Sequence, residues 1–158
     1  FKGCLYFGLM LTEKGPKVIE YNCRFGDPEA QVVLPLLDTD LLTIMKAVTE
    51  ERLSEVDVKW KDGSACCVIA ASDGYPVSYE KGYEIYIPED VLPHVYVAGA
   101  VEEEGRLLTS GGRVLGVTAV EPTLADAIEA SYDMLDRIDF ANKYYRADIG
   151  QRALKAIR

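Results

Sequence analysis

The stretch Lys17–Val18–Ile19–Glu20–Tyr21–Asn22–Cys23–Arg24–Phe25–Gly26–Asp27–Pro28–Glu29 decides how this 158-residue chain is read. An apolar, strand-like segment runs into Glu20, Asn22 and Arg24, three polar groups spaced two apart. Side chains alternate faces along a strand, so this spacing sets those three on one side and Ile19, Tyr21 and Cys23 on the other. Two oxygen ligands and a guanidinium on one rim suit Mg²⁺ and a phosphate better than they suit a core. A half-buried strand with a solvated polar face produces the same bare pattern. The residues after Asn22 add weight to a site. Pro28 fits a first helical position and Asp27 the cap before it, beside a helix N-terminus where anions bind. Asp27 is therefore read both as a cap and as an acceptor for a substrate amine, and Arg24 as a group that reaches a phosphate or a developing phosphoryl charge.

Outward from this stretch, Leu5 to Leu11 is an apolar run, and Thr12–Glu13–Lys14–Gly15–Pro16 reads as the turn of a hairpin. Helical texture follows Asp27. Asp38 to Leu53 reads as a further helix with Leu41, Leu42, Met45 and Val48 on one side. From Ser54 the pattern changes to short strands separated by Gly and Pro: Ala65 to Ala71, Tyr83 to Ile87, His94 to Val101, Arg106 to Thr109 and Arg113 to Val120. These predict a small antiparallel sheet or partial barrel. Thr123, with Asp126 three residues on, opens a helix whose buried stripe is Leu124, Ala127, Ile128, Ser131, Leu135 and Ile138. Asp148 and Gln151 suit the cap of a last short helix. The expected organisation is two units, residues 1–58 and 59–158, in an α+β chain.

Acidic residues outnumber basic ones, 26 to 17, for a net charge of −9. That balance argues against nucleic acid and anionic membranes as general partners, because both demand a basic face. A phosphorylated small molecule needs only a local cluster of Arg and backbone N–H groups. No apolar run is long enough to span a bilayer and no signal peptide is evident. Cys4, Cys23, Cys66 and Cys67 have no C-x-x-C spacing and the chain has one histidine, so a zinc site is not expected. The cysteines read as buried, reduced thiols of a cytoplasmic protein, with Cys66 and Cys67 on opposite faces of one strand. The chain opens at Phe1 straight into a strand-like pattern, which reads as a piece whose N-terminal part has been removed.

The second candidate is Ser110–Gly111–Gly112–Arg113. Two glycines let backbone N–H groups converge on an anion, and Arg113 adds a bidentate contact. The competing reading is a tight turn between two strands. His94, after Pro93, reads as a surface residue. Tyr83, Tyr86, Tyr96, Tyr144 and Tyr145 read as sheet and core packing.

Several strings in the chain have a family resemblance. They are Gly8–Leu9–Met10–Leu11–Thr12, the Lys17–Glu29 stretch, Thr109–Thr118 with its G-G-R-V-L element, and Tyr145–Gly150. Together they closely resemble the glycinamide ribonucleotide synthetases, also called phosphoribosylamine–glycine ligases, across nearly the whole chain. The resemblance implies the last part of an ATP-grasp domain followed by a small β-rich C-terminal domain with flanking helices. It implies an ATP-dependent ligase of purine synthesis that joins glycine to 5-phosphoribosylamine through a glycyl phosphate, giving glycinamide ribonucleotide, ADP and phosphate. It further implies Glu20 and Asn22 as ligands of Mg²⁺ or Mn²⁺, Arg24 and Asp27 as catalytic and substrate-binding groups, and Ser110, Gly111, Gly112 and Arg113 as the element that closes over the phosphoribosyl group. Partners would be ATP, glycine and 5-phosphoribosylamine, with no nucleic acid and no membrane, in a monomer inactive without the upstream nucleotide-binding region. A further acidic metal ligand carried by many ATP-grasp enzymes on the preceding strand has no counterpart in Leu5 to Leu11. Two rivals stand beside this reading: another purine-pathway ATP-grasp enzyme, such as a carboxylase or formyltransferase, and a non-catalytic binding or assembly module.

Overall fold

The computed structural model describes residues 1–157, and the chain divides into two compact units, Phe1–Lys61 and a second from Asp62 onward.

The first unit opens with the hairpin β1 (Tyr6–Thr12) and β2 (Gly15–Asn22). Its turn is only Glu13 and Lys14, because Gly15 adopts φ +88° and already pairs with Thr12. The Thr12 hydroxyl secures it, donating to the Gly15 carbonyl at 2.7 Å and accepting from the Lys14 N–H at 3.2 Å. The register slips between Gly8 and Leu9, which pair with Glu20 and Val18, leaving Ile19 as the extra residue of a bulge. Apolar side chains on both strands are exposed within this unit, among them Leu9, Leu11, Ile19 and Tyr21.

Two helices follow, α1 (Ala30–Leu36) and α2 (Leu41–Thr49). The predicted helix from Asp38 to Leu53 is thus shorter at both ends. The Asp40 carboxylate caps α2 through the Thr43 N–H at 2.8 Å, and the chain turns at Glu51, which has φ +59°. The buried point of α2 is Ala47, while Leu42 and Met45 are exposed. Leu41, Met45 and Val48, with Phe25, Ile44 and Leu53, line an apolar groove of about 560 Å³. Residues 59–61 return to the end of α1, where the Asp38 N–H donates to the Lys59 carbonyl and the Lys61 N–H to the Leu36 carbonyl.

The second unit is built on a four-stranded antiparallel sheet of order β4 (Val95–Val97), β7 (Arg113–Glu121), β3 (Ser64–Ser72) and β8 (Lys143–Tyr144). A separate hairpin joins β5 (Ala100–Glu103) to β6 (Arg106–Thr109). The partial barrel considered from sequence is therefore a pair of open sheets. The predicted strand Tyr83–Ile87 forms only isolated bridges, Glu84 with Leu108 and Tyr86 with Asp139. His94–Val101 is broken into a 3₁₀ turn at Leu92–His94 and two short strands.

Alternation along β3 puts Cys66, Val68 and Ala70 in the core, opposite Ala119, Val117 and Leu115 of β7. Helix α3 (Leu124–Asp136) covers them with Ala127, Ile128 and Leu135, and Ile138 follows just past its end. Thr123 caps α3 as anticipated, its hydroxyl accepting from the Asp126 N–H at 3.2 Å. Ser131, fully buried, accepts from the Ala119 N–H at 3.1 Å and donates to the Cys66 carbonyl at 2.8 Å, stitching α3 to both central strands. The last helix is α4 (Gln151–Ile157). The Asp148 carboxylate before it is taken by the Arg146 guanidinium at 2.9 and 2.7 Å rather than by a cap.

Two burial expectations are corrected. Cys23 is exposed, in the bend that follows β2, and only Cys66 is buried. Tyr86, Tyr96 and Tyr144 are exposed, since short edge segments give them no partner face. His94 is a surface residue.

Candidate functional site

In the first unit, Glu20 and Asn22 project from the end of β2 on the same side, and Asn22 Nδ2 donates to Glu20 Oε1 at 2.9 Å. Gly8 lies directly across from Glu20, and a Cβ there would come within 3.0 Å of the Glu20 Cγ. A side chain at Gly8 would thus crowd the stem of Glu20. Two oxygen-bearing side chains one hydrogen bond apart, partly open to solvent, fit a small divalent cation whose remaining shell comes from phosphates and water. Among the described residues there is no group of three or more His, Cys, Asp and Glu that could hold a metal ion by itself.

Arg24 does not continue the strand. β2 ends at Asn22, and Arg24 sits in the bend after it, with its guanidinium donating to the Phe25 carbonyl at 2.7 Å. Period-two spacing therefore does not govern its direction. Asp27 is not the helix cap either. The Asp27–Pro28 bond is cis, residues 27–29 form a turn, and Glu29 occupies the cap position of α1 without a side-chain cap bond. Asp27 instead accepts from Gln31 Nε2 at 2.8 Å.

Glu29 was not singled out from the sequence. Its Oε1 accepts from the Tyr6 hydroxyl at 3.0 Å, and its Oε2 lies where a Cβ on buried Gly26 would be, at 2.3 Å. Only glycine leaves that space. The hydrogen bond to the Glu29 carboxylate raises the Tyr6 pKa, with burial and the Glu29 and Glu20 charges adding to it. Tyr6 pairs with Asn22 across the hairpin, so the F-G-D-P-E turn is tethered to the strand that carries Glu20 and Asn22.

In the second unit, Ser110–Gly111–Gly112 connects β6 to Arg113, the first residue of β7. The N–H groups of Ser110 and Gly111 both donate to the Gly99 carbonyl, at 2.8 and 3.0 Å. Those two N–H groups are thus engaged inside the fold, as in the tight-turn reading. The glycines allow close packing. A Cβ on Gly111 would lie 2.9 Å from the Gly99 Cα, and one on Gly112 would fall 2.0 Å from the ring of Tyr75.

Residues 65–152 match the C domain of phosphoribosylglycinamide synthetase, and residues 1–30 match the ATP-grasp (A) domain of the same enzyme family. The chain belongs to the phosphoribosylglycinamide synthetase family. It is 50% identical over 150 residues to a phosphoribosylamine–glycine ligase of Caldanaerobacter subterraneus, covering 94% of this chain and 36% of that protein. It is 48% identical to a bifunctional purine biosynthetic protein of Pichia angusta, covering 97% of this chain and 20% of that one. The crystal structure of phosphoribosylamine–glycine ligase from Thermotoga maritima superposes with a TM-score of 0.80 at 36% identity, over 91% of this chain and 36% of that one. The chain therefore spans about a third of the length of its single-function curated relatives. Within this synthetase-family sequence, Glu20, Asn22, Arg24, Asp27 and Glu29 fall in the stretch matched to the A domain, and Ser110–Arg113 in that matched to the C domain. No helix among the described residues is long and apolar enough to cross a membrane.

Proposed function

We propose that this chain supplies part of an ATP-dependent ligase that joins glycine to 5-phosphoribosylamine, giving glycinamide ribonucleotide, ADP and phosphate. The observation that carries the reading is 50% identity across 94% of the chain to a protein named phosphoribosylamine–glycine ligase. In this reading the first unit is the end of the ATP-grasp domain and the second is the C-terminal domain of the ligase.

Glu20 and Asn22 would hold Mg²⁺ or Mn²⁺. Such a cation supplies charge neutralisation for the nucleotide phosphates during phosphoryl transfer. The carboxylate of Glu20 contributes the charge and Asn22 a neutral oxygen, and the Tyr6–Glu29 tether fixes the turn beside them. Arg24 offers a guanidinium to charge developing on the transferred phosphoryl group, and Asp27 offers a carboxylate to the amine of phosphoribosylamine. Ser110, Gly111, Gly112 and Arg113 would face the phosphoribosyl group.

The test uses a full-length synthetase carrying this sequence, with glycine, phosphoribosylamine and ATP. Glu20→Ala and Asn22→Ala should each raise the Mg²⁺ concentration needed for half-maximal rate and lower kcat, by roughly tenfold or more for one lost ligand. Unchanged Mg²⁺ dependence and rate in both variants would sink the metal assignment. Absence of glycine-dependent ADP formation in the wild type would sink the ligase reading itself.

A further inference from the structure

The face of the β1–β2 hairpin that carries Glu20 and Asn22 carries a third group. Residues paired across antiparallel strands share a face, and Tyr6 pairs with Asn22 as Gly8 pairs with Glu20. The bulge at Ile19 lies outside these pairs and leaves their alternation intact. Phe7 and Tyr21, paired between them, meet edge-on on the opposite face at 5.1 Å between ring centroids. Tyr6 therefore stands on the Glu20–Asn22 face. Its hydroxyl, donating to Glu29 Oε1 at 3.0 Å, holds the Glu29 carboxylate there, and the Glu20 charge reaches the same hydroxyl.

The fold gives that carboxylate little else to do. Glu29 occupies the cap position of α1, yet its side chain makes no cap bond. Among the described residues it receives one hydrogen bond, from Tyr6, and forms no ion pair. The Arg24 guanidinium, five residues earlier, donates to the Phe25 carbonyl instead. Glu29 is half-buried, and a carboxylate withdrawn from water without a cation beside it is costly. Gly26 nonetheless keeps the space for it, since any Cβ there would displace Oε2.

We propose that Glu29 is a positioning residue for the divalent cation of the Glu20–Asn22 site: fixed on that face by the Tyr6 hydroxyl, it adds a second negative charge and an acceptor for water bound to the cation. This rests on the reading of Glu20 and Asn22 as the metal ligands and supplies what they lack. Glu20 brings one negative charge and Asn22 none, so two ligands leave half of a divalent charge unbalanced within the protein. An outer carboxylate acts on cation affinity without touching the ion, by its charge and by orienting the coordinated water.

The experiment titrates Mn²⁺ into a full-length synthetase carrying this sequence, with ADP bound, and follows free Mn²⁺ by electron paramagnetic resonance. Glu29→Gln keeps the shape and an acceptor for Tyr6 while removing the charge. It should weaken Mn²⁺ binding by roughly tenfold, the scale for an outer partner of a metal site. Tyr6→Phe keeps the charge and releases the tether, and should weaken binding by roughly three- to fivefold, the scale of one hydrogen bond. In steady-state assays both variants should regain wild-type kcat at saturating Mg²⁺, with the KM values for glycine and phosphoribosylamine unchanged. Mn²⁺ affinity within twofold of wild type in either variant would overturn the proposal. So would a fall in kcat that saturating Mg²⁺ does not restore, which marks a structural role. Glu20→Ala is the control: if it too leaves Mn²⁺ affinity unchanged, the metal assignment itself fails, and if it alone weakens binding, only the role of Glu29 does.

Discussion

The Tyr6 hydroxyl donates to Glu29 Oε1 at 3.0 Å, joining the start of β1 to the turn that follows β2 across 23 residues of chain. This bond, with the space left by Gly26, determines where the F-G-D-P-E turn lies relative to Glu20 and Asn22. Tyr6→Phe should cost about 1 kcal/mol, the net value of a partly buried hydrogen bond, with the ring packing kept. Urea unfolding followed by circular dichroism checks it. In a full-length synthetase the same variant should raise the Mg²⁺ requirement.

Ser131 bridges the Ala119 N–H and the Cys66 carbonyl at the centre of the second unit. Ser131→Ala would take from each buried backbone group its side-chain partner, and should destabilise by about 2–3 kcal/mol. A shift in the urea midpoint without a change in slope is the expected record.

Gly99 and Gly112 should respond differently to alanine. A Cβ on Gly99 would meet backbone, the Arg113 carbonyl oxygen at 2.5 Å and the Gly111 Cα at 2.7 Å. A Cβ on Gly112 would meet the Tyr75 ring, which is half-exposed and can swing outward. Both should destabilise by about 1–3 kcal/mol, Gly99→Ala more than Gly112→Ala. Tyr75→Ala should recover most of the Gly112→Ala loss and none of the Gly99→Ala loss in a double-mutant cycle.

Asp90 receives two hydrogen bonds from the Arg137 guanidinium, at 2.8 and 2.7 Å, and that pairing holds its carboxyl below the usual carboxylate range. A depressed folded-state pKa means the contribution is present above the unfolded value of about 3.9 and is lost as pH falls through the folded value. Asp90→Asn should therefore lower stability slightly at neutral pH, where the pair is exposed and screened, and flatten the acid limb of the stability curve. Urea midpoints measured from neutral pH down to about pH 3 test the sign.

The elements legible in the chain were those fixed by local chemistry. The Thr123 cap and the stripe from Ala127 to Leu135 lie where the 3.6-residue period puts them, because cap, period and apolar face all agree over thirteen residues. β3 and β7 were legible for the same reason, as long alternating or continuous apolar runs. Tyr83–Ile87 has the composition of a strand, but its neighbours offer it only single bridges. Arg24 kept the spacing of a strand residue after the strand had ended, and Asp27 had the chemistry of a cap two residues too early. Glu29, Ser72 and Tyr75 carry no spacing signal, because their partners are 23, 39 and 37 residues away.

By itself, the sequence determined the chemical identity of the candidate site: a carboxylate and a carboxamide two apart in a strand, a guanidinium after them, and a Gly-Gly-Arg turn, in strings specific enough to mark one ligase family. Side-chain type and short-range periodicity are local properties, and a linear chain displays them. Tertiary structure alone decided which donors remain available. It assigned the Ser110 and Gly111 N–H groups to Gly99, turned the Gly111 and Gly112 carbonyls toward Ser72, and tied Glu29 to Tyr6. Hydrogen-bond donors are used up by whichever acceptors folding brings near, and that proximity is set by packing between segments distant in sequence.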